Sequence, residues 1–222
     1  MSGGLLVVTA VAAEGDAIAD ALGVVTLMQV GPYTARTGPG VTLLTAGVGP
    51  AAAAACTATA LSLAAGGGQY ALTVSAGIAG GFAGRAAPGD VVEATTIVAA
   101  DLGATTPDGF RSVADLGFGT DTVVAAEVGV PGAVRGPIVT VSTVTGSEQR
   151  AAELAGRGAV AEAMEGFGVA VAAQQFAVPV AEIRAISNAV GLRDRDRWDI
   201  PGALAALAGA ARALADAMRQ RI

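Results

Sequence analysis

The 222-residue sequence lacks histidine and lysine, and all 13 of its basic residues are arginine. Histidine is the side chain that enzymes use most often as a general base and that proteins use most often as a metal ligand. Its absence leaves carboxylates, amides, hydroxyls and arginines for any chemistry. The search for catalytic residues is thereby narrowed to these side chains.

Cysteine is almost absent as well. The single Cys56 excludes a disulfide framework and a thiolate zinc site, and its place in an Ala/Thr run predicts a small buried side chain. This use of cysteine indicates a reducing compartment, so a cytoplasmic location is expected. The apolar opening, residues 5–13, has no basic segment before it and runs directly into Glu14, which argues against a signal peptide.

Positive charge is scarce, since 13 basic residues face 19 acidic ones and the formal net charge is −6. A nucleic-acid surface needs clustered positive charge against the phosphates, so no nucleic-acid partner is expected. The longest Ala-rich stretch, residues 51–65, contains threonine and serine and is shorter than the roughly 20 residues that cross a bilayer. We predict a small-molecule ligand and no membrane association.

Hydrophobic residues, many of them alanine, are abundant at 53%, against 14% charged residues. This is ample material for a buried core, and no linker-like stretch divides the chain. We predict one α/β domain that spans residues 1–222.

Short apolar runs alternate with longer Ala-rich segments. The predicted strands are residues 5–9, 24–30, 41–46, 71–75, 91–99, 137–141 and 180–186. The predicted helices are residues 14–22, a segment from Pro50 to the glycines at 66–68, a segment capped by Ser147, residues 162–176 and residues 201–219. Glycine-rich residues 76–81 and polar residues 102–119 are predicted as loops. This alternation predicts a mostly parallel or mixed sheet with helices on both faces, which binds ligands at the carboxyl ends of its strands.

Polar or glycine residues follow several of the apolar runs. They are Glu14, the segment Ser75 to Gly81, the segment Ser142 to Gly146, the pair Ser187-Asn188 and the segment Ala163 to Gly166. Because the carboxyl ends of neighbouring strands meet at one edge of a sheet, we expect these features to line a single pocket.

The order and spacing of these features resemble the purine nucleoside phosphorylase and nucleosidase superfamily over nearly the whole chain, and the nucleosidase branch most of all. The similar motifs are Ala10-Val11-Ala12-Ala13-Glu14, Gly47-Val48-Gly49, Ala76 to Phe82 followed by Pro88-Gly89-Asp90-Val91-Val92, Met164-Glu165, and Arg184-Ala185-Ile186-Ser187-Asn188. The resemblance implies a three-layer α/β/α sandwich with a central mixed, twisted sheet. It also implies a homodimer and a purine nucleoside substrate.

The resemblance further implies roles for two carboxylates. Glu14 would orient the attacking water, whereas Met164 and Glu165 would hold the ribose. Hydrogen bonds to the sugar hydroxyls strengthen as positive charge develops during cleavage of the glycosidic bond. The alternatives are a carboxylate at Glu14 that only stabilises a helix N-terminus, and a surface Glu165 beside a core Met164.

For the base, the resemblance implies a site flanked by the glycine-rich residues 76–81 and by the segment after the strand 137–141. Its residues would be Ile78, Ala79, Gly80, Thr143, Val144, Thr145 and Asn188. The aromatic residue that the family usually has in the second segment is replaced here by threonine and valine, which puts base stacking in doubt. Phe167 is a candidate stacking platform, with a core position as the alternative.

Asn188 is the most informative departure from the family. Nucleosidases that act on adenine-containing substrates have an aspartic acid there, which donates a proton to the purine. An amide has no such proton, but it can donate hydrogen bonds to an exocyclic carbonyl oxygen and to the adjacent ring nitrogen. This favours a 6-oxopurine such as hypoxanthine, and the alternative is an asparagine that serves only the end of its strand.

Residues 190–200 hold the one dense charge cluster and the sole tryptophan of the sequence. This segment resembles the futalosine hydrolase family in particular. Futalosine carries a carboxyphenyl ketone on the 5′ side of its ribose, so Arg193 or Arg195 would bind the carboxylate and Trp198 would pack on the ring. The alternative is a solvated loop of paired charges. Asp194 or Asp196 would reach the base only if the loop folds inward.

Hydrolysis is favoured over phosphorolysis, because residues 76–81 contain no basic residue for a phosphate and Arg85 stands four positions beyond them. The expected reaction is dissociative hydrolysis of a purine nucleoside, which requires no metal ion and no organic cofactor. Nucleosidases for methylthioadenosine, S-adenosylhomocysteine or aminofutalosine are the first alternatives. A phosphorylase, a noncatalytic nucleoside-binding protein and a dinucleotide-binding protein are less favoured, the last because no acidic residue closes the expected strand.

Overall fold

The computed structural model describes residues 3–64 and 70–220. The strands are β1 (Gly4–Thr9), β2 (Thr26–Val30), β3 (Tyr33–Gly38), β4 (Val41–Thr45), β5 (Tyr70–Gly81), β6 (Val91–Ala99), β7 (Gly103–Thr106), β8 (Gly109–Ser112), β9 (Thr122–Val124), β10 (Val134–Thr140), β11 (Ala161–Ala163) and β12 (Val180–Ala189). The helices are α1 (Ala12–Leu22), α2 (Pro50–Leu63), α3 (Glu148–Gly156), α4 (Gly166–Gln175) and α5 (Ile200–Gln220), with one 3₁₀ turn at Arg195–Arg197.

Ten of the described strands form one mixed sheet in the order β2-β3-β4-β1-β5-β12-β6-β10-β11, with β9 paired to β6. Strands β4, β1, β5 and β12 run parallel, whereas β2 and β3 form an antiparallel meander at one edge. Strand β11 also pairs with the end of β5, so this half of the sheet closes on itself. The closure brings β11 next to β5 and β12, where the polar strand ends lie.

Helices cover both faces of the sheet, because successive side chains on each buried strand point to opposite faces. Val7 belongs to one core with Ile18 of α1 and Leu207 of α5. Val8 belongs to a second core with Cys56 of α2 and further residues of α4. The predicted mixed sheet with helices on both faces is therefore confirmed.

Helices α2 and α4 approach each other closely at Gly168. A Cβ atom added there would lie 2.1 Å from the backbone oxygen of Pro50, so the contact requires glycine. This packing places the first turn of α2 beside the first turn of α4. The backbone N–H of Gly49 then reaches Glu165, which precedes α4.

Helix α5 is long and apolar enough, by length and composition alone, to cross a membrane over residues Ile200–Arg219. In the structure its Ala203, Leu207 and Leu214 side chains are buried against α1 and the sheet. A core helix passes the same test of length and composition. The apolar face of α5 is therefore explained by its packing.

Three predictions of secondary structure are wrong. Residues 76–81 were expected as a loop but continue β5 to Gly81, because ladder partners on β11 and β12 flank these glycines. Residues 102–119 contain the hairpin of β7 and β8. The helix predicted over 162–176 begins only at Gly166, and Ala161–Ala163 is strand β11, since alanine-rich composition does not separate a short buried strand from a helix.

Other boundaries differ less. The predicted strand 24–30 begins at Thr26, and strands β3 and β9 lie in segments to which no strand was assigned. Helix α2 ends at Leu63. The glycines at 66–68, which were predicted to end it, lie outside the described residues.

Candidate active site

A cavity of about 350 Å³ lies at the carboxyl ends of β1, β5, β11 and β12. The predicted residues that line it are Glu14, Ile78, Ala79, Gly80, Val144, Thr145, Met164, Glu165, Asn188, Arg193 and Trp198. Thr143 and Arg195 were predicted for the site but are not among its lining residues. The position of the cavity agrees with the rule that open α/β sheets bind ligands beyond the carboxyl ends of their strands.

Glu14 lies in the first turn of α1, and its side chain is buried. One carboxylate oxygen, Oε2, accepts the backbone N–H groups of Ala10 and Val11 at 3.0 and 3.2 Å. The other, Oε1, accepts the N–H of Ile78 at 2.9 Å. The carboxylate therefore caps its own helix and also faces the cavity, so the structural and the chemical interpretations of Glu14 are compatible.

Glu165 is the second buried carboxylate of the cavity wall. Its Oε1 accepts the N–H of Gly49 at 3.1 Å, and its Oε2 forms an ion pair with Nη1 of Arg184 at 3.3 Å. Helix α4 begins directly after Glu165, so this residue is not on a helix surface. The two contacts hold it from two sides, and lone pairs remain for hydroxyl donors.

Arg184 organises the charges beneath the cavity and is itself 1% exposed. Its Nε donates to Oε1 of Glu182 at 2.9 Å, and its Nη2 donates to Oγ of Ser75 at 2.9 Å. Burial disfavours the charge of Arg184, but Glu182, Glu165 and Glu14 outweigh burial and raise its pKa. The guanidinium is therefore a fixed positive charge between the carboxylates.

Glu182 lies two residues before Arg184 on β12, and its side chain is fully buried. Burial raises the pKa of its carboxyl group against the opposing effect of Arg184, and Glu165 adds to the rise. Its Oε2 has no hydrogen-bond partner among the described residues. A Cβ atom at Gly166 would lie 2.1 Å from this oxygen, so glycine is required where α4 begins.

Gly77 has the same kind of role beside Glu14 and Arg184. A Cβ atom there would lie 2.6 Å from Nη1 of Arg184 and 2.6 Å from Oε1 of Glu14. Both distances are shorter than real Cβ contacts, so a glycine on β5 is needed for the arginine and the carboxylate to pass so close to the strand.

Asn188 follows an irregularity in the pairing of β12 with β5. Ile186 pairs with Ala79 and Asn188 pairs with Gly80, so Ser187 is the extra residue. Such bulges re-aim side chains near active sites. The Ser187 hydroxyl donates to Oδ1 of Asn188 at 2.8 Å, and Nδ2 of Asn188 donates to the backbone oxygen of Ala189 at 3.0 Å. These contacts orient the amide and leave one N–H of Nδ2 for a ligand.

The segment after β10 contributes Val144 and Thr145 to the cavity. Thr145 donates its backbone N–H at 2.8 Å and its hydroxyl to the buried carboxylate of Glu162. Phe167, the candidate stacking platform, belongs instead to the core between α2, α4 and the sheet. Phe167 is therefore a core residue, as the alternative interpretation had it, and not a stacking platform in the cavity wall.

The loop 190–199 leaves the sheet and returns to it at nearly the same place. The N–H of Val190 donates to the oxygen of Gly81, and the N–H of Asp199 donates to the oxygen of Ser187. The guanidinium carbon of Arg193 lies 5.8 Å from the centre of the Trp198 ring, and both residues line the cavity. The loop thus forms one wall of the cavity.

The other charged residues of this loop lie outside the cavity. Arg195 lies over the Trp198 ring at 5.7 Å, and Arg197 forms an ion pair with Asp194 at 3.2 Å. Neither Asp194 nor Asp196 lines the cavity, so the loop does not fold inward as a proton donor to the base would require.

Three charged residues of the site region were missed by the sequence analysis. Arg184 was quoted only as part of a motif, and Glu162 and Glu182 received no role. A signal was present, because Glu182 and Arg184 are two positions apart on a predicted buried strand, and such residues point to the same face.

Within the described part of the chain no group of three or more potential metal-ligating side chains occurs.

The fold and the site place the chain among the nucleoside phosphorylase and nucleosidase enzymes. The family model described as the phosphorylase superfamily matches residues 7–219. Several solved structures share the fold. The futalosine hydrolase of Helicobacter pylori has a TM-score of 0.79 at 20% identity, covering 100% of this chain and 99% of its own. A methylthioadenosine/S-adenosylhomocysteine nucleosidase of Colwellia psychrerythraea, in complex with adenine, has a TM-score of 0.79 at 21% identity, covering 98% and 96%.

Curated relatives narrow the class. The futalosine hydrolase of Streptomyces coelicolor is 52% identical over 229 residues, which covers 95% of this chain and 94% of the relative. The futalosine hydrolase of Acidothermus cellulolyticus is 46% identical over 222 residues, covering 94% and 89%. The chain belongs to the futalosine hydrolase family of the phosphorylase superfamily. The predicted resemblance to the nucleoside phosphorylase and nucleosidase superfamily is confirmed, and so is the predicted resemblance to the futalosine hydrolase family.

Proposed function

We propose that this protein hydrolyses the N-glycosidic bond of futalosine and releases hypoxanthine and dehypoxanthine futalosine. The observation that carries the proposal is the convergence of Glu14, Glu165 and Asn188 on one cavity that Arg193 and Trp198 also line. The identity of 52% to a relative named futalosine hydrolase supports the same substrate.

In this proposal Glu14 positions the attacking water and accepts its proton while the bond between the ribose and N9 breaks. The base leaves as an anion and is protonated to hypoxanthine by solvent, and Glu14 returns its proton to solvent. The carboxylate is fixed by three backbone N–H donors and faces the cavity, so it needs no reorganisation when the water attacks. Cleavage passes through a state in which the ribose carries positive charge, and a nearby carboxylate stabilises that charge.

Met164 and Glu165 hold the ribose in this mechanism. Glu165 keeps lone pairs for the sugar hydroxyls, because Gly49 and Arg184 each occupy only one direction around its two oxygens. Hydrogen bonds to the hydroxyl beside the reacting carbon strengthen as the bond breaks. Met164 lies in the cavity wall beside Glu165 and supplies an apolar surface for the sugar.

Asn188 recognises the leaving base. In this proposal its free Nδ2 hydrogen is donated to the 6-oxo oxygen of hypoxanthine, whereas adenine places an amino group at position 6. A site that hydrogen-bonds one exocyclic group rejects the other strongly, because the mismatch leaves buried polar groups unpaired. This supports futalosine over methylthioadenosine, S-adenosylhomocysteine and aminofutalosine.

Arg193 and Trp198 bind the carboxyphenyl group on the 5′ side of the sugar. The arginine lies over the indole ring, which places a carboxylate-binding group beside an aromatic surface. Leu192 adds an apolar side chain to the same wall. The charge and the ring of the group that distinguishes futalosine from simple nucleosides each have a suited partner in this wall.

Water, rather than phosphate, is the nucleophile in this proposal. Arg85, the basic residue nearest the glycine-rich part of β5 in the sequence, donates to the backbone oxygen of Ala159 at 2.7 Å and does not line the cavity. Arg193 lines the cavity but belongs to the loop that we assign to the substrate tail. A phosphorylase would need a phosphate-binding cation beside the sugar.

The proposal extends to the setting of the enzyme: a cytoplasmic, single-domain protein of menaquinone biosynthesis that forms a homodimer. The homodimer is proposed from the resemblance to the family, and an interface would cover exposed apolar side chains such as Phe118 (82%) and Val124 (80%). Size-exclusion chromatography with light scattering tests the homodimer, and a mass of one chain would contradict it.

The experiment that tests the proposed reaction is a base-release assay with futalosine, its 6-amino analogue, inosine, methylthioadenosine and S-adenosylhomocysteine, each with and without phosphate. The proposal predicts rapid release of hypoxanthine from futalosine, slow reaction of the adenine-containing substrates and no dependence on phosphate. Preference for an adenine nucleoside, or a rate that requires phosphate, would overturn it.

A further inference from the structure

Glu162 is a buried carboxylate in the cavity wall that the proposed mechanism does not use. It lies on β11, three positions before Glu165, and its residue is 6% exposed. A carboxylate taken out of water at a ligand site needs donors, and a ligand N–H is a strong one. Its neighbours indicate which part of the substrate it meets.

The sheet places Glu162 opposite Asn188. Gly80 on β5 is the register partner of Glu162 on one side and of Asn188 on the other. Directly paired residues point to the same face, and two strand spacings separate the outer pair by roughly 10 Å between Cα atoms. A Cβ atom at Gly80 would lie 2.8 Å from Cγ2 of Val190, so the Val190 side chain covers the strand between them. Glu162, Val190 and Asn188 all line the cavity, so the two polar groups stand on either side of an apolar surface.

Thr145 determines what this wall offers. Its backbone N–H donates to one oxygen of Glu162 at 2.8 Å and its hydroxyl donates to the other. Both donors of Thr145 are therefore consumed. The wall presents the carboxylate as a hydrogen-bond acceptor, with about two of its four lone-pair positions left.

We propose that Glu162 accepts the N1–H of the 6-oxopurine while Asn188 donates to its O6, so that the two residues together select hypoxanthine. This inference rests on the proposed function and names the residue that deepens its specificity. Hypoxanthine has an acceptor at O6 next to a donor at N1. Adenine has the reverse pattern, a donor at position 6 and an acceptor at N1, which sets a ring lone pair against the carboxylate.

Equilibrium binding of free bases tests this assignment without turnover. Wild-type protein and the Glu162→Ala variant are titrated calorimetrically with hypoxanthine and with 1-methylhypoxanthine, which lacks the N1 hydrogen. We expect wild-type protein to bind hypoxanthine roughly 10- to 100-fold more tightly than the methylated base, the range for a hydrogen bond to a charged group. The variant should bind the two bases about equally, because it loses the acceptor and gains space for the methyl group.

A purely supporting role for Glu162 gives a different result. If the carboxylate only held the segment with Thr145, Glu162→Ala would weaken both bases by the same factor, and the unchanged ratio would overturn the inference. The matched control is Thr145→Val, which removes the hydroxyl donor but keeps the carboxylate and should retain the preference for hypoxanthine over its methylated form.

The conservative variant Glu162→Gln covers the case in which the alanine variant does not fold. It places amide hydrogens where the carboxylate was, so the preference for hypoxanthine over adenine should narrow at least tenfold, and an unchanged preference would count against the assignment. Failure of the proposed function is separate. It would appear as absent release of hypoxanthine from futalosine by the wild-type protein, whereas failure of this inference appears in the binding ratios.

Discussion

The backbone N–H of Ile78 donates to Oε1 of Glu14 at 2.9 Å, although the two residues are 64 positions apart in the chain. This bond ties the first turn of α1 to the central strand β5. The carboxylate is thus held by the sheet as well as by its own helix. Its position should be the same before and after the substrate binds, which is the condition for efficient proton transfer from water.

The variant Glu14→Gln should lower kcat for futalosine by roughly 10²- to 10⁴-fold, the usual contribution of a positioned general base. The amide keeps the size of the side chain but cannot take the proton of water, and KM should change little. Steady-state release of hypoxanthine measures the effect. The matched control is Asp20→Asn, an exposed carboxylate on the same helix that should leave the rate unchanged. A near-normal rate for Glu14→Gln would rule out this role.

The variant Asn188→Asp should reverse the choice of base. An aspartate faces O6 of hypoxanthine with negative charge, whereas it can share a proton with an adenine ring. We expect the ratio of kcat/KM for futalosine to that for its 6-amino analogue to fall at least tenfold, since a mismatch of buried polar groups is strongly disfavoured. Competition between the two substrates in one tube gives the ratio directly. Unchanged selectivity would refute the assignment of Asn188.

The variant Arg193→Ala should raise KM for futalosine about tenfold by removing a charged hydrogen bond to the substrate carboxylate. KM for inosine, which lacks the carboxylate, should stay the same. Arg195→Ala should have a smaller effect, because Arg195 contacts Trp198 but does not line the cavity. Arg197→Ala, at a residue paired with Asp194, is the control. Equal effects on both substrates would favour a loop that only pairs its own charges.

The variant Gly77→Ala should lose most of its activity while it still folds. The added methyl group would lie 2.6 Å from both Arg184 and Glu14, so one or both charged groups must shift. A drop in kcat of at least tenfold is expected, because small misplacements of catalytic groups have large effects on rate. Gly209→Ala is the control, since nothing lies within 4 Å of its added Cβ atom. Normal kinetics for Gly77→Ala would mean that the cluster tolerates displacement.

Cys56 should be inert in the folded protein. Burial raises the pKa of its thiol to about 12, so the reactive thiolate is almost absent at neutral pH and reactivity should rise only as the pH approaches that value. A thiol-disulfide reagent at pH 8 should give no signal with native protein and one equivalent in guanidinium chloride. Cys56→Ala supplies the blank. A prompt reaction of the native protein would show that α2 opens readily.

The sequence was sufficient to predict the positions of Glu14 and Asn188, because each follows a buried apolar run and the ends of such runs meet at one edge of the sheet. It also predicted the start of α2 at Pro50, where a missing N–H is tolerated. The parts of the cavity wall that loops form were harder to predict. The sequence offers Arg193 and Arg195 equally as cavity residues, and only the path of the loop shows that Arg193 lines the cavity and Arg195 does not.

The glycines of β5 misled the prediction for a physical reason. Glycine weakens strands, so a run such as residues 76–81 is expected to form a loop. Here, Gly77 makes room for two charged side chains, and Gly80 lies between Glu162 and Asn188. The close approach of neighbouring side chains to β5 requires glycine at these positions, and this requirement outweighs the low strand propensity of glycine. Without knowing which strands flank β5, the sequence cannot distinguish these two uses of glycine.

The anchoring of the loop 190–199 has a consequence for how such enzymes diversify. Its two ends are fixed to Gly81 and Ser187, while the residues that would cleave the bond lie on α1, β12 and the turn before α4. A loop of another length or composition can therefore be exchanged between the same two anchors without moving Asn188 or Glu165. The loop is therefore a suitable site for engineering new specificity toward the 5′ group, while the residues proposed to cleave the bond are left unchanged.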